Sequence, residues 1–294
     1  MISLSNIGDA VMTTPVLQSL HNHFPGTFID IVGDQRSSEI FMHCPYRGEI
    51  FHKNKKKLLR GGPALVWNLR KREYDLVVDL RTDGLIWLVR AKKRLGKRRA
   101  EPYGPHAVQQ HMGVIRHIHG EDIIPDCFIW PGEENENYAR NKLCEYSGRK
   151  ILALGPGANW PGKIWPENNY LALIEALKKD FDVVVLLGDK RDRTLTGIIK
   201  QHSSLPVIDL CGETTLLQAA ATLKHVTVFI GNDSGLGHLA SGVDTHTLTI
   251  FGPGNPERYR PWGTKSQIVA GEPDNIASVS VDNVISKLEM FKSI

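Results

Sequence analysis

Three segments carry residue types suited to holding an anion and moving a proton. The first is Gly231-Asn232-Asp233-Ser234-Gly235-Leu236-Gly237-His238, which follows a β-branched run at 226–230. A strand there delivers the chain to a sheet's C-terminal edge, where doubly wound folds bind ligands. Gly231, Gly235 and Gly237 let the backbone turn sharply and approach a ligand closely. Asp233 or Ser234 can cap the helix that follows, whose unpaired N–H groups and positive end suit a phosphate-sized anion. His238 lies one turn into that helix. Alone it would read as a packing histidine; in this setting it reads as a further donor to phosphate.

The second segment, Gly155-Pro156-Gly157-Ala158-Asn159-Trp160-Pro161-Gly162-Lys163-Ile164-Trp165-Pro166, follows an apolar run at 151–154 and so reaches the same edge. Gly157 to Lys163 fits the G-x-x-x-x-G-K spacing of a P-loop. Ile164 replaces the hydroxyl residue that would hold magnesium, however, and Pro161 and Pro166 oppose the required helix. What remains is a stiffened loop with one cation, Lys163, which either stands in solvent or meets a diphosphate. In the third segment, Ser5-Asn6-Ile7-Gly8-Asp9, Asp9 near a helix start has two readings. It is a cap or dipole partner, or a general base facing an interdomain cleft and taking a proton from an attacking hydroxyl.

The elements needed to position these residues are legible as short apolar runs at 28–32, 75–80, 151–154, 183–187, 207–210, 226–230 and 247–251. Helical patterns separate the later ones, at 168–179, 215–224 and 236–242. Nearly continuous apolar strands alternating with helices predict an α/β fold with parallel sheets and right-handed crossovers. A polar helix at 135–146 ends at Gly148, which suits a helix C-cap, and a fresh strand begins at 151. Two doubly wound, Rossmann-like domains, 1–148 and 149–294, are therefore expected, with a last amphipathic helix over 281–291.

Composition narrows the partners. The 294 residues are 41% hydrophobic and 23% charged, ordinary for a chain that buries a full core. No apolar run approaches the ~20 residues of a membrane span, and the N-terminus lacks the pattern of a signal peptide. Four scattered cysteines (Cys44, Cys127, Cys144, Cys211) read as reduced packing residues, which suits a cytosolic protein and argues against zinc. The net charge of +4 hides an asymmetry: residues 36–99 hold 18 Lys/Arg against 6 Asp/Glu. The excess lies in Lys53, Lys55, Lys56, Lys57 and Arg60, then in Lys92, Lys93, Arg94, Lys97, Arg98 and Arg99. Such clusters are either solvated faces or a surface for an anionic partner. They lack interleaved aromatics and any nucleic-acid-binding motif, so no nucleic-acid partner is expected.

Taken in order, the motifs resemble glycosyltransferase family 9, the heptosyltransferases of the bacterial lipopolysaccharide inner core. They are S-N-I-G-D-A-V-M-T-T-P, Y-D-L-V-V-D-L, G-P-G-A-N-W-P-G-K-I-W-P, G-N-D-S-G-L-G-H-L-A and F-G-P-G-N-P-E-R-Y-R-P-W-G. The resemblance covers most of the chain. It implies a GT-B architecture, an acceptor-binding first domain facing a nucleotide-sugar-binding second domain across a cleft. It also implies an inverting transfer without a catalytic metal or cofactor, with ADP-heptose as co-substrate and a phosphorylated, lipid-linked sugar as acceptor.

Carried over by position, Asp9 matches the family's base and Lys163 its phosphate-contacting lysine. Asp233, Ser234, Gly235 and His238 match the donor-binding turn. Asp192 stands where an acid binds ribose or sugar hydroxyls, and Thr214 and Thr215 stand near the nucleotide base. The basic first domain would meet the anionic acceptor, with Asn6, Lys55, Lys56, Arg60 and Arg98 as its candidates, and any membrane contact would be peripheral. The resemblance has departures. Only seven residues precede Gly8, which predicts a short first strand in a truncated or late-starting chain. Arg81-Thr82-Asp83-Gly84 replaces a glutamine-glycine pair common in the family, and the compact first half predicts short acceptor loops. A GT-B-shaped sugar-nucleotide epimerase or hydrolase would need further acid/base residues, of which no convincing set is present. A non-catalytic sugar-nucleotide binder would have little use for Asp9 and Lys163 together.

Overall fold

The computed structural model describes residues 1–53, 58–289 and 291. The chain forms two compact units, Met1–Trp130 and Pro131–Ile294. This division falls earlier than the boundary read at 148, because the polar helix Glu133–Leu143 belongs to the second unit. That helix buries Ala139 and Leu143. Its Glu136 accepts from Lys224 Nζ at 2.7 Å and meets His225 Nε2 at 2.8 Å. Gly148 has a φ of 74°, the left-handed conformation expected of a glycine that ends a helical segment.

In the first unit, strand β1 (Ile29–Gly33) pairs in parallel with β2 (Arg47–His52), and β3 (Tyr74–Asp79) pairs in parallel with β4 (Ala91–Gly96). Residues 1–3 join the two pairs: Ile2 makes parallel bridges to both Val32 and Asp79. The pairing there is confined to these single bridges. Ile2, Val32, Phe51, Leu65, Leu69, Val77, Leu85 and Ile86 share one buried cluster.

Strands β2 and β4 were not legible as apolar runs. β4 reads Ala-Lys-Lys-Arg-Leu-Gly, yet it holds a sheet edge, where charged side chains are tolerated. Arg94, counted above in a basic cluster read as a solvated face or an anion surface, is structural. Its guanidinium donates to the carbonyls of Ile86, Val89 and Ala91 at 3.1, 2.8 and 2.9 Å.

The second unit is a six-stranded parallel sheet of β5 (Ile151–Gly155), β6 (Val183–Leu186), β7 (Val207–Asp209), β8 (Val228–Asn232), β9 (Thr247–Phe251) and β10 (Ser266–Ala270). Its spatial order is β10-β9-β8-β5-β6-β7, the dinucleotide-binding order in which winding reverses between the first and fourth strands. β5, β6, β8 and β9 are buried throughout, as a sheet covered on both faces requires. Trp165 and Tyr170 pack into its core with Leu152, Leu154, Ile230 and Ile250. The last helix, Val281–Glu289, closes the unit by burying Val284 and Leu288.

All four cysteines are free, and Cys44, Cys127 and Cys211 are buried as read. Among the described residues, no helix is long and apolar enough to cross a membrane.

Candidate active site

The winding reversal lies between β5 and β8, whose C-terminal ends carry the two segments singled out for anion binding. Gly155 pairs with Gly231 across these strands. Both positions exclude a side chain: a Cβ on Gly155 would lie 2.7 Å from the Phe229 ring, and one on Gly231 would lie 2.8 Å from the Gly155 carbonyl oxygen. The two loops therefore leave the sheet side by side.

Asn232 ties them together. It is fully buried, and its Nδ2 donates to the Pro156 carbonyl at 2.6 Å. Its Oδ1 accepts from the Trp165 backbone N–H at 3.2 Å and from the Tyr170 hydroxyl at 2.9 Å. In the sequence Asn232 stands only as one letter of a motif. Its signal was a lone amide next to an apolar strand, and which groups surround it is a tertiary fact.

Lys163 ends the 3-10 turn Pro161–Lys163 and forms an ion pair with Asp233. Gly254, after β9, closes on the same pair. It has a φ of 146°, and its Cβ position lies 3.3 Å from Asp233 Oδ2 and 3.7 Å from Lys163 Nζ. Asp233 is therefore committed to the lysine and does not cap the helix Gly235–Gly242. Ser234 occupies the N-cap position in extended backbone but makes no side-chain cap bond. Its Oγ is buried and has no hydrogen-bond partner among the described residues. The start of the helix keeps its N–H groups for an acceptor, with Ser234 beside them and His238 buried one turn on.

Asp192 reaches the same edge from the loop after β6. Its carboxylate lies where a Cβ on Gly157 would be, and Oδ2 accepts from the Asp189 backbone N–H at 2.9 Å. Burial pushes its carboxyl above the ordinary aspartate range. Thr215 has a structural task. It caps the helix Leu216–Lys224, its hydroxyl accepting from the Gln218 N–H at 3.2 Å, while Gln218 Oε1 accepts from the Thr215 N–H at 3.0 Å. This capping box occupies the Thr215 side chain and leaves Thr214, half-exposed, next to it.

In the first unit, Asp9 lies in the short helix Ile7–Val11. Its Oδ2 accepts from Asn6 Nδ2 at 2.8 Å. Asn6, read as a candidate acceptor contact, is the donor of this bond. Lys53 forms an ion pair with Asp83, whose Oδ2 also takes Arg81 Nε at 3.1 Å. These three residues come from the loops after β2 and β3. Arg98 is exposed in the 3-10 turn Lys97–Arg99. Lys55, Lys56 and the side chain of Arg60 lie outside the described residues.

A parallel sheet wound in both directions, with an anion-ready helix start and a braced lysine at its reversal, defines a nucleotide-binding unit of GT-B type. The family profile described as glycosyltransferase family 9 (heptosyltransferase) matches residues 85–288, and the chain belongs to that family. It is a glycosyltransferase. Lipopolysaccharide heptosyltransferase 3 of Escherichia coli K12 is 24% identical over 283 residues, which cover 87% of this chain and 82% of that one. A glycosyl transferase family 9 structure from Veillonella parvula superposes with a TM-score of 0.86 at 19% identity, covering 98% and 96% of the two chains. The ADP-heptose lipopolysaccharide heptosyltransferase II of Escherichia coli does so with a TM-score of 0.79 at 21% identity, with the same coverage. At these identities the two structures speak for the fold, which is GT-B.

Proposed function

We propose that the protein transfers heptose from ADP-heptose to a phosphorylated, lipid-linked sugar of a lipopolysaccharide core. Transfer proceeds with inversion and without a catalytic metal or cofactor. The observation that carries this reading is the Lys163–Asp233 ion pair beside the uncapped start of the helix Gly235–Gly242.

The chemistry follows from charge. As the bond between the anomeric carbon and the diphosphate breaks, negative charge develops on the leaving ADP. Lys163, His238, Ser234 and the first N–H groups of the helix stabilise it through preorganised donors. Asp9 takes the proton from the acceptor hydroxyl as that oxygen attacks the opposite face of the anomeric carbon. Asp192 holds donor hydroxyls, and Thr214 lies near the base. The first unit receives the acceptor, with Lys53, Arg81 and Arg98 as the described cations. The enzyme works in the cytoplasm, peripheral to the inner membrane.

A thermal-shift screen against ADP-, UDP-, GDP- and CDP-sugars tests the donor, because a ligand at about 100 times its Kd stabilises by about 2.7 kcal/mol. ADP-heptose should give the largest shift. A larger shift from a UDP- or GDP-sugar would overturn the assignment. Release of free heptose without transfer would make the enzyme a hydrolase.

A further inference from the structure

The helices Leu58–Leu69 and Leu85–Leu88 pack on one core cluster, the first through Leu65 and Leu69 and the second through Leu85 and Ile86. Away from that cluster they present Trp67, Trp87 and Leu88, which are 65%, 68% and 52% exposed. Indoles bury most of their surface in ordinary folds, so two this exposed on one layer call for a partner. The strands that follow the two helices begin side by side. The Tyr74 N–H donates to the Arg90 carbonyl at 3.1 Å, and Tyr74 pairs with Ala91 where β3 and β4 begin. The chain leaving Trp67 therefore runs beside the chain leaving Trp87.

The surroundings are cationic. Lys71 Nζ stands 3.7 Å from the centroid of the Trp67 ring. Arg70, Arg90 and Lys93 are exposed, and Lys93 shares a strand face with Ala91, which packs on the cluster beneath both helices. The nearby acids Asp75, Asp30 and Glu49 are paired with Lys92 and Arg72. Glu73 is the one exposed acid of this stretch without such an ion pair.

We propose that this surface docks the protein on an anionic lipid bilayer. The two indoles and Leu88 enter the headgroup layer, where tryptophan's apolar body and polar N–H are both satisfied. Arg70, Lys71, Arg90 and Lys93 meet the lipid phosphates. A protein partner fits less well, since lysine is depleted in protein interfaces, whereas it is what draws a protein to an anionic leaflet. The docking takes its purpose from the lipid-linked acceptor proposed above, but it is measured without donor or acceptor.

The test is co-sedimentation of the full chain with vesicles of equal parts phosphatidylglycerol and phosphatidylcholine, and with phosphatidylcholine alone. The protein should sediment with the anionic vesicles, less so as salt rises. The pair Trp67→Ser/Trp87→Ser should weaken binding roughly tenfold or more, and Lys71→Glu/Lys93→Glu should weaken it specifically on the anionic vesicles. Circular dichroism and melting temperature of both variants should match the parent, since all four side chains are exposed. The proposal is overturned if the parent protein stays in the supernatant, or if the serine variant sediments equally well. It is also overturned if light scattering finds a dimer that the serine variant abolishes, which would make the surface a contact between copies. Absence of a shift with ADP-heptose would sink the donor assignment and leave the vesicle result standing.

Discussion

Lys163 and Asp233 stand 70 residues apart in sequence and form an ion pair at the point where the second sheet reverses its winding. Asp233 alone would repel a diphosphate. Paired with Lys163, it holds the ammonium beside the helix start. Charge-assisted contacts contribute roughly 1.5–3 kcal/mol each. Lys163→Ala should therefore weaken ADP binding by about 2 kcal/mol, roughly thirtyfold, as read by calorimetry. Unchanged affinity would place the diphosphate elsewhere.

Asn232 ties together the loops after β5 and β8 through three hydrogen bonds in a fully buried position. Asn232→Ala strands the Tyr170 hydroxyl, the Trp165 N–H and the Pro156 carbonyl, each costing about 1–3 kcal/mol when left unpaired. The second unit should lose about 3 kcal/mol or more, seen as an earlier transition in urea. Tyr170→Phe removes only one partner and should cost about 1 kcal/mol.

Variants of Asp9, the proposed base, and of Asn6, which donates to it, test chemistry and positioning separately. Asp9→Ala should lower turnover by about 10²–10⁴-fold while ADP affinity stays at the parent value. Asn6→Ala leaves the carboxylate but removes the donor 2.8 Å from it. It should lower kcat roughly tenfold with the donor KM unchanged. Full turnover in Asp9→Ala would remove the base assignment.

Asp192 makes a pH prediction whose sign is set by burial. Its carboxyl is raised above the ordinary range, chiefly by desolvation. The folded protein therefore holds this proton to a higher pH than the unfolded chain does. Stability falls as pH rises through the window between the two pKa values, and the deficit persists at neutral pH. Asp192→Asn should raise the melting temperature at neutral pH, with the gain shrinking as pH drops below the ordinary aspartate range. The same variant should bind ADP-heptose less tightly, since a site is commonly less stable than its inert replacement. A variant that melts at or below the parent at neutral pH would contradict the desolvation argument.

The sequence by itself determined the fold class, five of the six parallel strands of the second unit (all but β10) and the loops that reach the sheet's C-terminal edge. Buried parallel strands are continuous apolar runs, and the glycine-rich turns after them are local. The placement of Lys163, Asp192, Ser234 and His238 after strands of this sheet was legible for the same reason, since each follows an apolar run in the sequence. The polar edge strand β4 was not legible, because an edge needs no apolar face. Nor was the unit boundary at Trp130, because helix Glu133–Leu143 is polar in sequence and is placed by its packing on helix Leu216–Lys224. Only the tertiary structure decided that Asp233 braces Lys163 rather than capping a helix, and that Asn6 serves Asp9. It also showed that Arg94 belongs to the fold, and that Asn232 joins two loops. The partners of Asp233 and Asn232 lie 62 to 76 residues away, and hydrogen-bonding capacity can be read from a residue, whereas the group that fills it, near or far in the chain, is set by packing.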